Sequence, residues 1–192
     1  ACAMAPPPRG ATLGIVGLSL PQAIARLAPQ APADRVEALV AAYKGAFSHL
    51  RALGLSPLYP GARDALAAIA GDPSRVMGIA TGKSLRGLRH VLDGHGISDW
   101  FDTIQVADDH PSKPHPAMIA AALAETGIPA ADAVMVGDTT YDIEMARAAG
   151  VAAIGVGWGY HPGPALSGAG AAEVLGGFAD LAGALDRIWS SR

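Results

Sequence analysis

The sequence predicts an α/β protein: a parallel sheet covered by helices on both faces, behind an all-helical N-terminal part. Three observations predict it. From Gly61 onward, short apolar runs alternate with helical segments of about ten to thirteen residues, the signature of strands joined by helical crossovers. The helical segments number enough to cover both faces of such a sheet, as parallel sheets require. Before Gly61 the apolar residues recur at three- and four-residue steps, and no strand-like run interrupts them.

The elements follow in order. "APPPRG" is irregular. "ATLGIVGLSLPQAIARLA" reads as a loop leading into a short helix from Pro21; its glycines, Pro21 and Gln22 make a poor signal-peptide core. "PADRVEALVAAYKGAFSHLRALG" is the clearest early helix. Val36, Leu39, Val40, Tyr43, Phe47 and Leu50 form one apolar stripe, Asp34 and Glu37 favour its start, and Gly54 follows its end. "LSPLYPG" breaks the pattern and marks a hinge, which divides the chain into a helical unit, 1–56, and an α/β unit, 57–192. In the second unit "GARDALAAIAG", "SLRGLRHVLDGHG", "HPAMIAAALAETG", "TTYDIEMARAAG" and "FADLAGALDRIW" are helices. "RVMGIATG", "FDTIQVADD", "AVMVGD" and "VAAIGVGWG" are strands, ending near Thr81, Asp108, Asp138 and Trp158.

Composition narrows the function. The chain has 192 residues, 51% of them hydrophobic and 16% charged, enough apolar material for a core and too little charge for disorder. A net charge of −3 without a basic run argues against nucleic acid or an anionic membrane as partner. No apolar run reaches a membrane span. The single cysteine, Cys2, cannot close an internal disulfide, so a reducing cytoplasm is the expected compartment.

Ligands of open parallel sheets bind at the carboxyl ends of the strands, and three ends here carry polar groups: "IATGKS", "VADDHPSKPHP" and "VGDTTYD". Each has a structural reading when taken singly. Thr81-Gly82 is a turn with Ser84 capping the next helix, or a hydroxyl and backbone N–H groups that hold a phosphate. Lys113 is a solvated loop lysine, or a point charge held at the ligand edge by Pro114. Asp138 and Asp142 favour a helix N-terminus, or place two carboxylates on one face where a hard cation such as Mg²⁺ binds. Hydroxyl, lysine and paired carboxylates on three successive strand ends together form a phosphate-and-magnesium set.

In that combination the sequence resembles the haloacid dehalogenase superfamily of phosphohydrolases. "IATGKS" is similar to its second motif, Lys113 in "SKPHP" to its third, and "VGDTTYD" to its fourth, G-D-x-x-x-D; "YPGARDAL" resembles the segment by which such chains re-enter the core after a cap. The resemblance covers essentially the whole chain and implies a Rossmann-like core with a helical C1-type cap on the N-terminal side, in the phosphoglycolate phosphatase-like branch. It implies that Asp138 ligates Mg²⁺ and that Asp142 fixes the metal and its waters. Thr81 would hydrogen-bond the phosphoryl group with Gly82 beside it, and Lys113 would neutralise nucleophile and phosphate. Ser19 and Gln22, where C1 caps meet substrate, are candidates for substrate contact.

The family's first motif, D-x-D-G-T, has no counterpart here. Asp34, Asp64 and Asp72 do not follow a strand, and Asp108-Asp109 follows the wrong one. Its strand lies mid-sheet in the family, between those ending at Thr81 and Asp138, so the sheet is expected to lack its central strand, and an N-terminal segment outside these residues is expected to supply it. The implied function is Mg²⁺-dependent hydrolysis of a small phosphorylated metabolite through an aspartyl-phosphate whose aspartate lies outside these residues, so that the chain alone is expected to be inactive. A sugar-phosphate mutase and a non-catalytic phosphate- or metal-binding protein are the alternatives. His110 and His115 read as loop histidines, Lys44 as a solvated helix lysine, and "GVGWGYHP" as either the mouth of the site or turn and packing residues.

Overall fold

The structure, a computed structural model, describes residues 5–51 and 54–191, with side chains described for all of these except 48–51. Cys2 and the side chain of Leu50 therefore lie outside the described residues. The front part is helical: α1 (Arg9–Leu13), α2 (Leu20–Leu27) and α3 (Ala33–Arg51). Pro21 occupies the first turn of α2, where its missing N–H leaves no partner unsatisfied. The stripe on α3 is only partly covered: Tyr43, 48% exposed, stacks on Phe47 at 5.6 Å between ring centroids rather than entering a core.

The α/β part runs α4 (Ala62–Ala70), β1 (Gly78–Thr81), α5 (Leu85–His95), β2 (Thr103–Val106), α6 (Ala117–Thr126), β3 (Val134–Gly137) and α7 (Thr140–Ala148). It continues through β4 (Ala152–Val156), α8 (Gly163–Ala169) and β5 (Glu173–Leu175) to α9 (Leu181–Ser190). All ladders are parallel. Two strands end earlier than the sequence suggests, at Val106 and Val156, because the polar and glycine-rich residues beyond them turn away from the ladder. Element α8 and strand β5 were not anticipated. Three residues of strand with a charged first member have no readable period, yet Leu175 is buried because β5 pairs with β4.

The ladders fall into two groups. Strand β1 pairs with β2, and β3 pairs with β4, which pairs with β5; no described ladder joins β1 to β3. Yet the same helices cover both groups. On one face α4 sends Leu66 to the cluster containing Ile79 of β1, and Ala65 and Ile69 to the cluster containing Val134 and Val136 of β3. On the other face Met118 and Ile119 of α6 share a cluster with Ala80 of β1 and Met135 of β3. The order is therefore β2-β1, a gap, then β3-β4-β5, with helices above and below the gap. Ile79, Ala80 and Val134–Val136 remain only half-buried, whereas Ala153 to Val156 in β4 are buried. One unpaired edge on each of β1 and β3 accounts for the difference. No described helix is long and apolar enough to cross a membrane.

Candidate active site

The loops after β1, β2 and β3 all meet the front segment Gly14–Ser19. A Cβ on Gly82 would stand 2.6 Å from the Leu18 carbonyl oxygen, so this glycine is needed for the front backbone to lie against it. The backbone N–H of Ser19 donates to Ser112 Oγ at 2.7 Å, next to Lys113. Gly17, at φ +103°, lies where a Cβ would be 3.0 Å from Thr139 Oγ1, and the Tyr141 hydroxyl donates to the Gly14 carbonyl at 2.8 Å. Three strand-end loops thus converge under one segment.

Thr81 ends β1. Its Oγ1 accepts from the Lys83 amide at 3.2 Å, which leaves the hydroxyl hydrogen free to be donated elsewhere. That amide, one of the N–H groups expected to face a phosphate, is thereby occupied. Ser84 caps α5 by accepting from the Gly87 amide, and Asp108 Oδ2 accepts from the Leu85 amide at 2.8 Å, tying the β2 loop to the β1 loop.

Lys113 is not solvated. It is 5% exposed, follows the β2 loop, and is joined to Pro114 by a cis peptide bond. Its Nζ lies 2.5 Å from Asp142 Oδ1, and Asp142 is 3% exposed. Asp142 serves α7 as well: Oδ2 accepts from the Thr139 amide at 3.1 Å and the Thr139 hydroxyl at 2.8 Å, closing a capping box. The pair joins the loop after β2 to the helix after β3, across the gap. Gly137 is required for room rather than for φ, since a Cβ there would be 2.3 Å from the Asp142 Cβ.

Asp138 faces a different partner. Its Oδ2 accepts from the Tyr160 amide at 3.0 Å, and its carbonyl accepts from the His161 amide at 3.1 Å. Gly159 packs so closely that a Cβ would be 2.1 Å from the Asp138 Cβ. The turn after β4 therefore holds Asp138 by main chain alone. The two aspartates do not share one direction: Asp142 is committed to Lys113 and the helix cap, while Asp138 keeps Oδ1 without a described hydrogen bond. Among the described residues, no three His, Cys, Asp or Glu side chains gather as a metal cage. The donor set still fits Mg²⁺, which uses one or two carboxylates and completes its shell with water and phosphate oxygens. Ser19 meets the core through its backbone, and Gln22 is exposed on α2. His110 Nε2 bonds Gln105 Oε1 at 2.7 Å, and His115 Nδ1 accepts from the Ala117 amide, both local contacts.

Thr139 and Tyr141 were not singled out by sequence. The stretch "GVGWGYHP", which holds Gly159, Tyr160 and His161, reads as either the mouth of the site or turn and packing residues, without the contacts to Asp138. A separate cleft of about 570 Å³, lined by Asp72, Arg75, Met77 and Asp102 among others, opens at the amino ends of β1 and β2, the wrong end for a sheet of this kind.

Comparison with known proteins agrees with this architecture. Residues 2–156 match the model of the haloacid dehalogenase-like hydrolases. The chain is 36% identical over 181 residues to "Probable phosphatase IndB" of Dickeya dadantii, covering 92% of this chain and 77% of that protein. It is 36% identical over 147 residues to a phosphoglycolate phosphatase of Yersinia pestis, covering 74% of this chain but only 63% of the relative. Among solved structures, a hydrolase from Pseudomonas syringae superposes with a TM-score of 0.83 at 23% identity over 95% of this chain and 84% of that one. The haloacid dehalogenase-like protein SP0104 of Streptococcus pneumoniae superposes with a TM-score of 0.79 at 20% identity, over 94% and 83%. Those two share the fold. With the family model covering most of its length and its three polar strand ends gathered under the helical front, this chain belongs to the haloacid dehalogenase-like hydrolase family.

Proposed function

We propose that the protein is a Mg²⁺-dependent phosphomonoesterase acting on a small phosphorylated metabolite, with residues 1–56 as cap and 57–192 as core. The observation that carries the reading is the convergence of Thr81, the buried Lys113–Asp142 pair and Asp138 on loops that meet one front segment. The naming of relatives as phosphatases, phosphoglycolate phosphatase among them, supports the reaction class. The single cysteine favours a reducing, cytoplasmic setting.

In this reading Asp138, whose Oδ1 has no described hydrogen bond, would hold Mg²⁺, and Asp142 would fix the site through Lys113 and the start of α7. The cation, when bound, supplies charge that offsets the phosphoryl oxygens. Thr81 donates its hydroxyl hydrogen to a phosphoryl oxygen, with Gly82 giving the backbone room to approach. Lys113, anchored by Asp142, presents positive charge between phosphate and nucleophile without having to reorganise. The nucleophile itself is an aspartate on a strand that fits the gap between β1 and β3 and lies outside these 192 residues. Attack of its carboxylate oxygen on phosphorus expels the alcohol and leaves an aspartyl-phosphate, which water then hydrolyses. Ser19, in the front segment, and Gln22, on α2, are the cap positions offered for substrate contact in this reading.

The test is hydrolysis of an aryl phosphate with Mg²⁺ by the protein carrying the strand segment and by the 192 residues alone. The first should turn over and lose turnover on Asp138→Asn; the second should be inactive. Turnover by the 192-residue chain that survives Asp138→Asn would reject the assignment.

A further inference from the structure

Lys113 stands on a segment without regular secondary structure, residues 107–116, between the end of β2 and the start of α6. Asp142 holds its ammonium, but the place of its backbone depends on what ties down that loop. The first half is tied to the loop after β1, by the Ala107 amide on the Lys83 carbonyl at 3.2 Å and by Asp108 on the Leu85 amide. Ser112, next to Lys113, accepts from the amide of Ser19 in the front segment. Between Asp109 and Ser112, His110 is the described side chain that ties the loop to the sheet.

His110 does so through a network in which every bond has a fixed direction. Glu125, in the last turn of α6, is a carboxylate and only accepts. Its Oε2 takes the Thr103 hydroxyl at 2.5 Å and the Gln105 side-chain amide at 2.8 Å. The second amide hydrogen of Gln105 goes to Thr103 Oγ1, also at 2.8 Å. The nitrogen of Gln105 therefore faces Glu125, and its Oε1 faces His110, where it accepts from Nε2 at 2.7 Å. Thr103 and Gln105 lie two apart on β2, so both point to the α6 face, and they are 3% and 9% exposed. A polar network with every member paired is rigid. It gives the loop a fixed point three residues before Lys113, one that does not depend on the front segment.

We propose that His110 is a positioning residue for Lys113. Its Nε2–H, anchored on Gln105 and through it on Glu125, sets the β2 loop so that the ammonium stands where the phosphoryl group meets it, and not merely where Asp142 can hold it. The proposal rests on the phosphomonoesterase reading, since it takes phosphate as the partner of Lys113.

Two substitutions differ only in reach. In His110→Gln the side-chain amide nitrogen arrives at the Nε2 position and donates to Gln105; in His110→Asn it stops short. The protein carrying the strand segment is assayed with Mg²⁺ on phenyl phosphate, and orthophosphate binding is followed by calorimetry. His110→Asn should lower kcat/KM about tenfold to a hundredfold, the scale of a misplacement of about 1 Å. His110→Gln should stay within about threefold of wild type on that scale. Gln105→Leu, which cuts the same bond from its other end, should match His110→Asn. The two His110 variants should melt at the same temperature, so that their contrast in rate is not one of stability. Orthophosphate affinity should show the same contrast, and His110→Asn added to Lys113→Met should weaken it no further, because no ammonium is left to misplace. Equal rates in the Asn and Gln variants, a contrast that follows their melting temperatures, or a further loss in the Lys113→Met background would overturn the proposal. So would a wild-type protein that binds no orthophosphate. If the contrast in orthophosphate binding is seen while even the wild type leaves phenyl phosphate intact, the phosphomonoesterase reading falls and the positioning role stands.

Discussion

Replacing Lys113 with Met removes one half of a buried ion pair and leaves the other half in place. Lys113 and Asp142 side chains are 6% and 5% exposed, so solvent cannot take over the lost partner. Losing one member of such a pair typically costs about 3–5 kcal/mol. Here Asp142 Oδ2 keeps two donors from Thr139, so only Oδ1 is abandoned and the lower end, about 3 kcal/mol, is expected. For a chain of this size each kcal/mol moves the melting temperature by about 2–4 °C, which gives a fall of about 6–12 °C. Urea unfolding and thermal denaturation of wild type, Lys113→Met, Asp142→Asn and the double variant form a cycle. The double variant should recover about 1–3 kcal/mol of the summed single losses, because neither charge is then left alone. The coupling should survive 1 M salt, since a buried pair is poorly screened. A cost for Lys113→Met below about 1 kcal/mol, or additive losses, would mean that the pair does not tie the two strand groups together.

Two further outcomes are expected. Tyr141→Phe removes the hydroxyl that reaches Gly14 and should cost about 0.5–1.5 kcal/mol, with faster amide exchange confined to residues 14–19; uniform exchange across the chain would contradict a local latch. Gly159→Ala forces a Cβ into Asp138 and should cost about 1–3 kcal/mol in stability and weaken Mg²⁺ binding by calorimetry, whereas unchanged Mg²⁺ affinity would remove Asp138 from the cation site.

Local pattern was sufficient for much of this protein. The alternation of apolar runs and helices after Gly61 located β1 to β4, because a parallel strand and its crossover helix each leave a period in the sequence that precedes any contact. The absence of a strand between those ending at Thr81 and Gly137 followed only from the resemblance to the haloacid dehalogenase superfamily, whose first strand lies there, and the described ladders leave that gap open. Short elements without a period were not legible: β5 becomes a strand only by pairing with β4, and α8 only by burying Leu166. Residue types at the strand ends marked out Thr81, Lys113, Asp138 and Asp142, but not their partners. Lys113 meets Asp142 across 29 positions, and Asp138 is held by the main chain of Tyr160 and His161, 22 and 23 positions on. Spacing four apart on a helix suggested that Asp138 and Asp142 act together. In the folded chain the helix begins between them, so that one turns toward Lys113 and the other toward the loop after β4. Sequence determines which groups stand at a strand end, because that depends on chain order. Which of them face each other depends on how the crossovers pack, and only the tertiary structure decides it.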